Sequence, residues 1–147
     1  MGQGLLHPHR RDTIRRVKPL EHPDSLHLQA AEGWLDLGNC AEASKELEQI
    51  TPHLRSHPDV LKVRLGIHLM ARDWQDAATV TDTLADMLPE DPEFWQQRAV
   101  ALCQLGRLQE ARAALMIAFD LDTGTKRKLA ALNDPDLEPL WQRYGRQ

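Results

Sequence analysis

The sequence predicts an all-α fold, an α-solenoid of three stacked helical hairpins closed by a C-terminal pair of capping helices. The main observation is a short segment that occurs three times, as GNCAEA at 38–43, RDWQDA at 72–77 and GRLQEA at 106–111. Consecutive copies are 34 residues apart (72 − 38 and 106 − 72). A second observation is that apolar residues recur at helical spacing after each copy. A constant period of this length is typical of a solenoid of helical hairpins.

Residues 1–20 form a basic arm ahead of the first hairpin. They hold five Arg or Lys and one Asp (5 − 1 = +4), whereas the rest of the chain holds 13 bases and 21 acids (13 − 21 = −8). The arm has too few apolar residues to offset the entropy of ordering, so we expect it to be flexible, with Asp12 able to cap a short helix that Pro19 ends. An alternative is that its bases lie against the acidic body or an acidic partner. The acidic body argues against nucleic-acid binding.

Each hairpin is predicted from its start signals and its apolar stripe. The first helices cover about residues 24–37, 58–71 and 92–105, and Pro58 and Pro92 occupy the first helical position of the second and third hairpins. The second helices cover about residues 41–51, 74–88 and 108–121, which gives repeats at 24–57, 58–91 and 92–125. Their apolar stripes are predicted to be core: Ala43, Leu47, Ile50, Trp74, Ala77, Val80, Leu84, Leu108, Ala111, Leu115 and Ala118.

The segment after Leu121 departs from the repeat and is predicted to form the cap, within residues 126–144. Residues 125–132 are expected to form one short helix, and DPDLEPLW begins another, with Pro139 restricting its first turn. A terminal unit must present one polar face to water. The cap carries Lys126, Arg127 and Lys128 beside the apolar set Leu129, Leu132, Leu137, Leu140 and Trp141.

These features resemble the tetratricopeptide repeat family, in particular small bacterial proteins of that family whose closing segment is similar to DPDLEPLW. The resemblance covers about residues 24–144, which we expect to be one domain, and it implies that the solenoid is right-handed. It rests on the period and on aromatic, small, turn-glycine and alanine positions of the repeat. The residues that match these positions are Ala31, Trp34, Gly38, Ala43, Trp74, Ala77, Trp95, Ala99, Gly106 and Ala111.

The chain departs from the family most clearly in the second repeat. Arg72 stands at the turn glycine, Leu65 at a small position and His68 at an aromatic one. Arg64 and Arg98 stand where the family usually has a buried leucine. Either these arginines extend their guanidinium groups into solvent, or they are partly buried and paired with carboxylates between repeats, because an unpaired buried charge is strongly unfavourable.

The resemblance also implies a concave groove, lined by the first helices, that binds a partner protein. Its mixture of apolar and acidic residues suits an apolar peptide or helix with basic flanks. Lys62 is its only basic residue, which disfavours the family's carboxylate-clamp mode of binding chaperone tails. An alternative is that several apolar members only pack between repeats. The predicted groove consists of Leu28, Gln29, Glu32, Leu35, Asp36, Lys62, Val63, Gly66, Leu69, Met70, Gln96, Gln97, Val100 and Gln104.

No sequence motif indicates catalysis, a cofactor or a metal. His53 and His57 are four residues apart but are bracketed by Pro52 and Pro58, and they lack partners at zinc-ligand spacing. No phosphate loop, nucleophile elbow or dinucleotide fingerprint occurs. We therefore expect a non-enzymatic protein that holds neither a metal nor a cofactor.

The sequence thus predicts a cytoplasmic scaffold or adaptor that binds a peptide or helix of another protein, with no nucleic-acid and no membrane partner. No apolar run approaches the roughly 20 residues needed to cross a bilayer. The alternative prediction is self-association into a homo-oligomer, either through the ends of the solenoid or through the basic arm of one copy on the acidic body of another.

Overall fold

The structure, a computed structural model, describes residues 17–146. The predictions for residues 1–16, among them the short helix capped by Asp12, lie outside the described residues. Within residues 17–146 the chain forms eight α-helices and two short 3-10 turns and has no β-strand, which confirms the all-α prediction. None of these helices has the length and apolar character that crossing a membrane requires. The described residues divide into two compact units, the first ending at Val63 and the second beginning at Arg64.

The helices follow the predicted order closely. The 3-10 turns are Pro52–Leu54 and Pro135–Leu137. Helix α2 ends three residues earlier than predicted because Pro52 forces Thr51 into an extended conformation (ψ 127°). The helices are α1 (Asp24–Asp36), α2 (Cys40–Glu48), α3 (Pro58–Met70), α4 (Trp74–Leu84), α5 (Pro92–Gln104), α6 (Leu108–Leu121), α7 (Thr125–Leu132) and α8 (Glu138–Tyr144).

The three turns that carry the repeated segment share one backbone geometry. Gly38, Arg72 and Gly106 all have a positive φ, of 78°, 62° and 79°. Glycine adopts this left-handed conformation without strain, whereas an L side chain crowds the following carbonyl oxygen. The middle turn therefore keeps the conformation of the other two although an arginine occupies it.

The same two backbone hydrogen bonds close each of these turns. In the first turn the Gly38 N–H donates to the Leu35 carbonyl (2.9 Å) and the Asn39 N–H donates to the Trp34 carbonyl (2.8 Å). The equivalent pairs close the turns at Arg72 and Gly106. This pattern is the Schellman motif, which satisfies the last carbonyl groups of a helix. The same turn between two helices therefore recurs every 34 residues.

The first unit is built on the packing of α1 against α2. Ala31, Ala43, Leu47 and Ile50 are fully buried. Asp24, at the start of α1, is also buried, and its two carboxylate oxygens accept hydrogen bonds from the Thr51 backbone N–H (2.9 Å) and hydroxyl (2.8 Å). This aspartate therefore joins the start of α1 to the segment that follows α2.

The described end of the arm contacts His57. The His57 Nδ1 accepts the Asp59 backbone N–H (3.0 Å), so its proton lies on Nε2, which donates to the Lys18 carbonyl (2.6 Å). His57 thereby holds the start of α3 and the described end of the arm together.

The second unit is built on α5 and α6, with α4 packed against α5. The second 3-10 turn packs against α5, and α8 packs against both α5 and α6. The Trp141 indole N–H donates to the Ala131 carbonyl (3.2 Å), which ties α8 to α7. The largest fully buried side chains of this unit are Leu65, Thr81, Leu84, Phe94, Leu102, Cys103, Leu115, Leu137 and Leu140.

Candidate functional site

Arg98 is partly buried and paired, the second of the two alternatives predicted for it. Its Nη1 donates to Thr81 Oγ1 (2.7 Å) and to Asp82 Oδ1 (2.8 Å), both on α4, and its side chain is 16% exposed. Arg64 is half-buried and forms no ion pair within residues 17–146. The Arg98 guanidinium therefore links two helices of the second unit and is not free to bind a ligand.

Two of the predicted groove residues on α5 are held by the C-terminal part of the chain. The Gln96 Oε1 accepts a hydrogen bond from Arg127 Nη1 (2.6 Å) on α7. The Gln104 Nε2 donates to the Asp136 carbonyl (2.7 Å) in the second 3-10 turn. These amides already have partners, so this part of α5 is covered by the C-terminal segment and is less available than the sequence suggests.

Arg127 is the centre of a small charged network beside this contact. Its Nε donates to Asp122 Oδ2 (2.9 Å), and its Nη1 lies 3.3 Å from Glu93 Oε2. The hydrogen bond from Arg127 lowers the pKa of the Asp122 carboxyl, and the same bond raises the pKa of Arg127. This network fixes α7 on α5.

The remaining predicted groove residues differ in exposure. Val63 is only 6% exposed, so its side chain belongs to the core, whereas Met70 is 50% exposed. The groove as a whole stays a prediction. The exposed members are Gln29, Glu32, Asp36, Lys62 and Met70, and the half-buried ones are Leu28, Leu35, Gly66, Leu69, Gln96, Gln97, Val100 and Gln104.

The residues predicted at repeat positions lie around the turns and in the core. Ala43, Ala77, Ala99 and Ala111 are fully buried, and Trp34, Trp74 and Trp95 are half-buried. Each of these tryptophans therefore leaves part of its surface exposed to solvent.

Two of these tryptophans, Trp95 and Trp74, make specific contacts. The Trp95 indole N–H donates to the Pro89 carbonyl (3.1 Å), and its ring meets Phe94 edge to face, with centroids 5.1 Å apart. The Arg72 guanidinium lies 4.9 Å from the centre of the Trp74 ring. These contacts hold the two tryptophans at the starts of α4 and α5.

A cluster of three metal-type donors lies at the middle turn. The ligand atoms of His68, Asp73 and Asp76 are all within 4.8 Å of one another. This cluster was not predicted from the sequence, because its members come from two helices and the turn between them. Acidic residues are favoured in the first turn of a helix by its dipole, and this accounts for both aspartates at the start of α4 without a metal.

A pocket of about 400 Å³ lies between α6, α7 and α8, and we call it the C-terminal pocket. Its floor is apolar, since Leu115, Leu140 and Trp141 are all buried. Exposed cations stand at its edge, where the Arg112 guanidinium lies 4.8 Å from the centre of the Tyr144 ring. Its lining residues are Arg112, Leu115, Met116, Phe119, Asp120, Thr123, Lys128, Leu132, Leu140, Trp141, Tyr144 and Gly145.

Leu132, Leu140 and Trp141 belong to the apolar set predicted for the cap, but no pocket was predicted from the sequence. Each of the three lining helices has the pattern of an ordinary amphipathic helix, and the pocket arises only from how they pack. The sequence feature that could have indicated the pocket is a pair of aromatic residues, Phe119 and Tyr144, that lie outside the repeat positions.

None of the protein-family models, curated proteins and solved structures compared with the chain matches it.

Proposed function

We propose that the protein is a non-enzymatic interaction scaffold of the tetratricopeptide type, a right-handed solenoid of three hairpins that binds a peptide or helix of a partner protein. The observation that carries this proposal is the shared geometry of the turns at Gly38, Arg72 and Gly106, which recur at 34-residue spacing with the same hydrogen bonds. Identical turns favour similar hairpins, and stacked hairpins create the extended surfaces that such proteins use to bind partners.

The chemistry of the exposed groove residues favours one kind of partner. Glu32 and Asp36 are exposed on α1, and Met70 is half exposed at the end of α3. A methionine side chain adapts to varied apolar surfaces, and carboxylates attract bases. We therefore propose an apolar partner segment flanked by Lys or Arg.

Selection from a random peptide library tests this proposal without knowledge of the natural partner. The immobilised protein is expected to enrich peptides with an apolar centre and basic flanks. Met70→Glu and Glu32→Lys are each expected to weaken the selected peptides about tenfold, the effect of removing one well-packed or charged contact. Leu129→Glu is the matched control, because Leu129 is 57% exposed on α7 and lies outside the predicted groove.

Two results would contradict the proposal. One is the absence of any enriched peptide, and the other is a set of peptides that bind Met70→Glu as tightly as the unaltered protein. Thermal unfolding of each variant shows whether a loss of binding reflects a loss of fold.

A second candidate, self-association, is favoured by exposed apolar side chains on α6 and α7. Met116 and Leu121 are each 41% exposed, Ile117 is 37% exposed and Leu129 is 57% exposed. Met116, Ile117 and Leu121 lie within six residues of one another on α6, and exposed apolar side chains that lie close together often mark an interface.

Light scattering of the protein and of Leu121→Glu at low and high salt tests self-association. A dimer that persists at high salt and dissociates in the variant supports association through these helices, because salt screens charges but leaves apolar contacts intact. A dimer that dissociates in salt instead supports the basic arm as the contact. A protein that stays monomeric in both conditions excludes this candidate.

A further inference from the structure

The C-terminal pocket has the size and the lining of a small-molecule site. Its volume of about 400 Å³ lies within the range of about 300 to 1,000 Å³ that is usual for ligand pockets. Leu115 and Leu140 are each 1% exposed and Trp141 is 8% exposed, so its floor is buried and apolar. It lies wholly within the second unit and uses none of the predicted groove residues.

The charges at the edge of the pocket favour an anion. Arg112 lies over Tyr144 at 4.8 Å, and Lys128 lies over Phe119 at 6.0 Å. Neither cation forms an ion pair with any residue in the described part of the chain, whereas Arg127, on the same helix as Lys128, has two carboxylate partners.

Asp120 is the one acid among the lining residues, so the edge carries two cations and one carboxylate. This local excess of positive charge contrasts with the formal net charge of −4 for the whole chain. The two cations are the groups at this site that still lack a carboxylate partner.

We propose that the C-terminal pocket binds a small amphiphile with one anionic head group, of the class of medium-chain carboxylates. The apolar tail contacts Leu115, Leu140 and Trp141, and burial of its methylene groups supplies most of the affinity. Arg112 and Lys128 bind the head group at the edge of the pocket, where a charge-assisted hydrogen bond to a carboxylate is available. This binding activity is separate from the proposed recognition of a partner protein.

Three probes that share an eight-carbon tail test the proposal: octanoate, octanol and octyltrimethylammonium. Binding is followed by the indole N–H resonance of Trp141, identified among the four tryptophans by its absence in Trp141→Phe. Octanoate is expected to bind one molecule per chain, at least about tenfold more tightly than octyltrimethylammonium, since one charge-assisted contact is worth about that factor. Affinity is expected to rise about fourfold for each methylene from hexanoate to decanoate.

Variants at the edge of the pocket separate the head-group contact from apolar binding. The double variant Arg112→Gln, Lys128→Gln is expected to weaken octanoate about tenfold and to leave octanol unchanged. Met116→Glu places a carboxylate at an exposed lining position and is expected to abolish octanoate binding. Lys126→Gln is the matched control, because Lys126 is exposed on α7 and does not line the pocket.

Three outcomes would overturn the proposal. The first is equal affinity for octanoate and octyltrimethylammonium, which would mean that the head group is not recognised. The second is a Trp141 resonance that does not respond to octanoate at millimolar concentration. The third is a response that accompanies dimer formation in light scattering, which would make the pocket a contact between copies of the chain. Far-UV circular dichroism of every variant separates these outcomes from unfolding.

Discussion

Arg98 Nη1 lies 2.7 Å from Thr81 Oγ1, and this hydrogen bond joins α5 to α4 inside the second unit. Thr81 is fully buried, and its hydroxyl donates to the Ala78 carbonyl (2.7 Å) while it accepts from Arg98. The hydroxyl therefore uses both its donor and its acceptor capacity. Asp82 supplies the charge partner, so the partly buried Arg98 guanidinium does not leave its charge unpaired.

Replacing Arg98 by methionine is expected to lower the free energy of unfolding by about 1 to 3 kcal/mol, because the buried Thr81 hydroxyl loses its donor. Methionine keeps most of the side-chain length, which limits the loss of packing. Urea denaturation measures the change. Asp82→Asn is the control, with an expected loss below about 1 kcal/mol, because the Asp82 side chain is 60% exposed.

A double-mutant cycle isolates the contact itself. Thr81→Val combined with Arg98→Met is expected to be less destabilising than the sum of the single changes, by about 0.5 to 1.5 kcal/mol. Strict additivity of the two changes would show that the contact contributes nothing to stability.

The positive φ of Gly106 leads to a prediction for the repeated turns. Gly106→Ala is expected to destabilise the protein by about 1 kcal/mol, because alanine is strained at φ 79° although its Cβ would meet no atom within 4 Å. Gly33→Ala is the matched control. Gly33 lies inside α1, and a Cβ added there would meet no atom within 4 Å. Gly33→Ala is therefore expected to raise the free energy of unfolding by about 0.5 to 1 kcal/mol. Equal effects of the two changes, measured by urea denaturation, would contradict the role of backbone conformation.

Local signals explain why the helices could be predicted so closely. Pro58 and Pro92 mark the starts of α3 and α5, and the turns at Gly38 and Gly106 mark where α1 and α5 end. Helix α4 ends at Leu84, four residues earlier than predicted, because apolar spacing continues into the turn that follows it. The spacing of apolar residues indicates which side chains face the core, but it does not indicate the residue at which a helix ends.

The candidate sites depended on tertiary packing and were predicted less well. The contacts of Gln96 with Arg127 and of Gln104 with Asp136 join residues more than 30 positions apart, at separations of 31 and 32. No local pattern specifies such pairs, and the C-terminal pocket likewise exists only once three helices have packed. The sequence left two alternatives for Arg98 because the exposure of a long side chain depends on the neighbouring helix.

The cap offers a contrast between two leucines that the sequence placed in the same apolar set. Leu137→Ala is expected to lower the free energy of unfolding by about 2 to 5 kcal/mol, because Leu137 is fully buried and its removal leaves a cavity. Leu129→Ala is expected to change it by less than about 0.5 kcal/mol, because Leu129 is 57% exposed. Thermal and urea unfolding of both variants check the prediction. Similar losses in the two variants would show that α7 packs differently from the structure.

Asp24 leads to a prediction of how stability depends on pH. The backbone N–H of Thr51, and after it the Thr51 hydroxyl, hold the pKa of Asp24 below its ordinary value of 3.8. A carboxyl whose pKa is lower in the folded than in the unfolded state adds stability above the unfolded value, and this contribution is lost as the pH falls through the folded value.

Asp24→Asn removes this titration. The difference in free energy of unfolding between the protein and the variant is therefore expected to be constant above about pH 5 and to shrink as the pH falls below about 4. Urea denaturation across this range measures it. Thr51→Ser is the control, because serine keeps both donors and is expected to retain the pH dependence of the unaltered protein. A difference between the protein and Asp24→Asn that stays constant down to about pH 3 would show that the carboxylate does not favour its charged form in the fold.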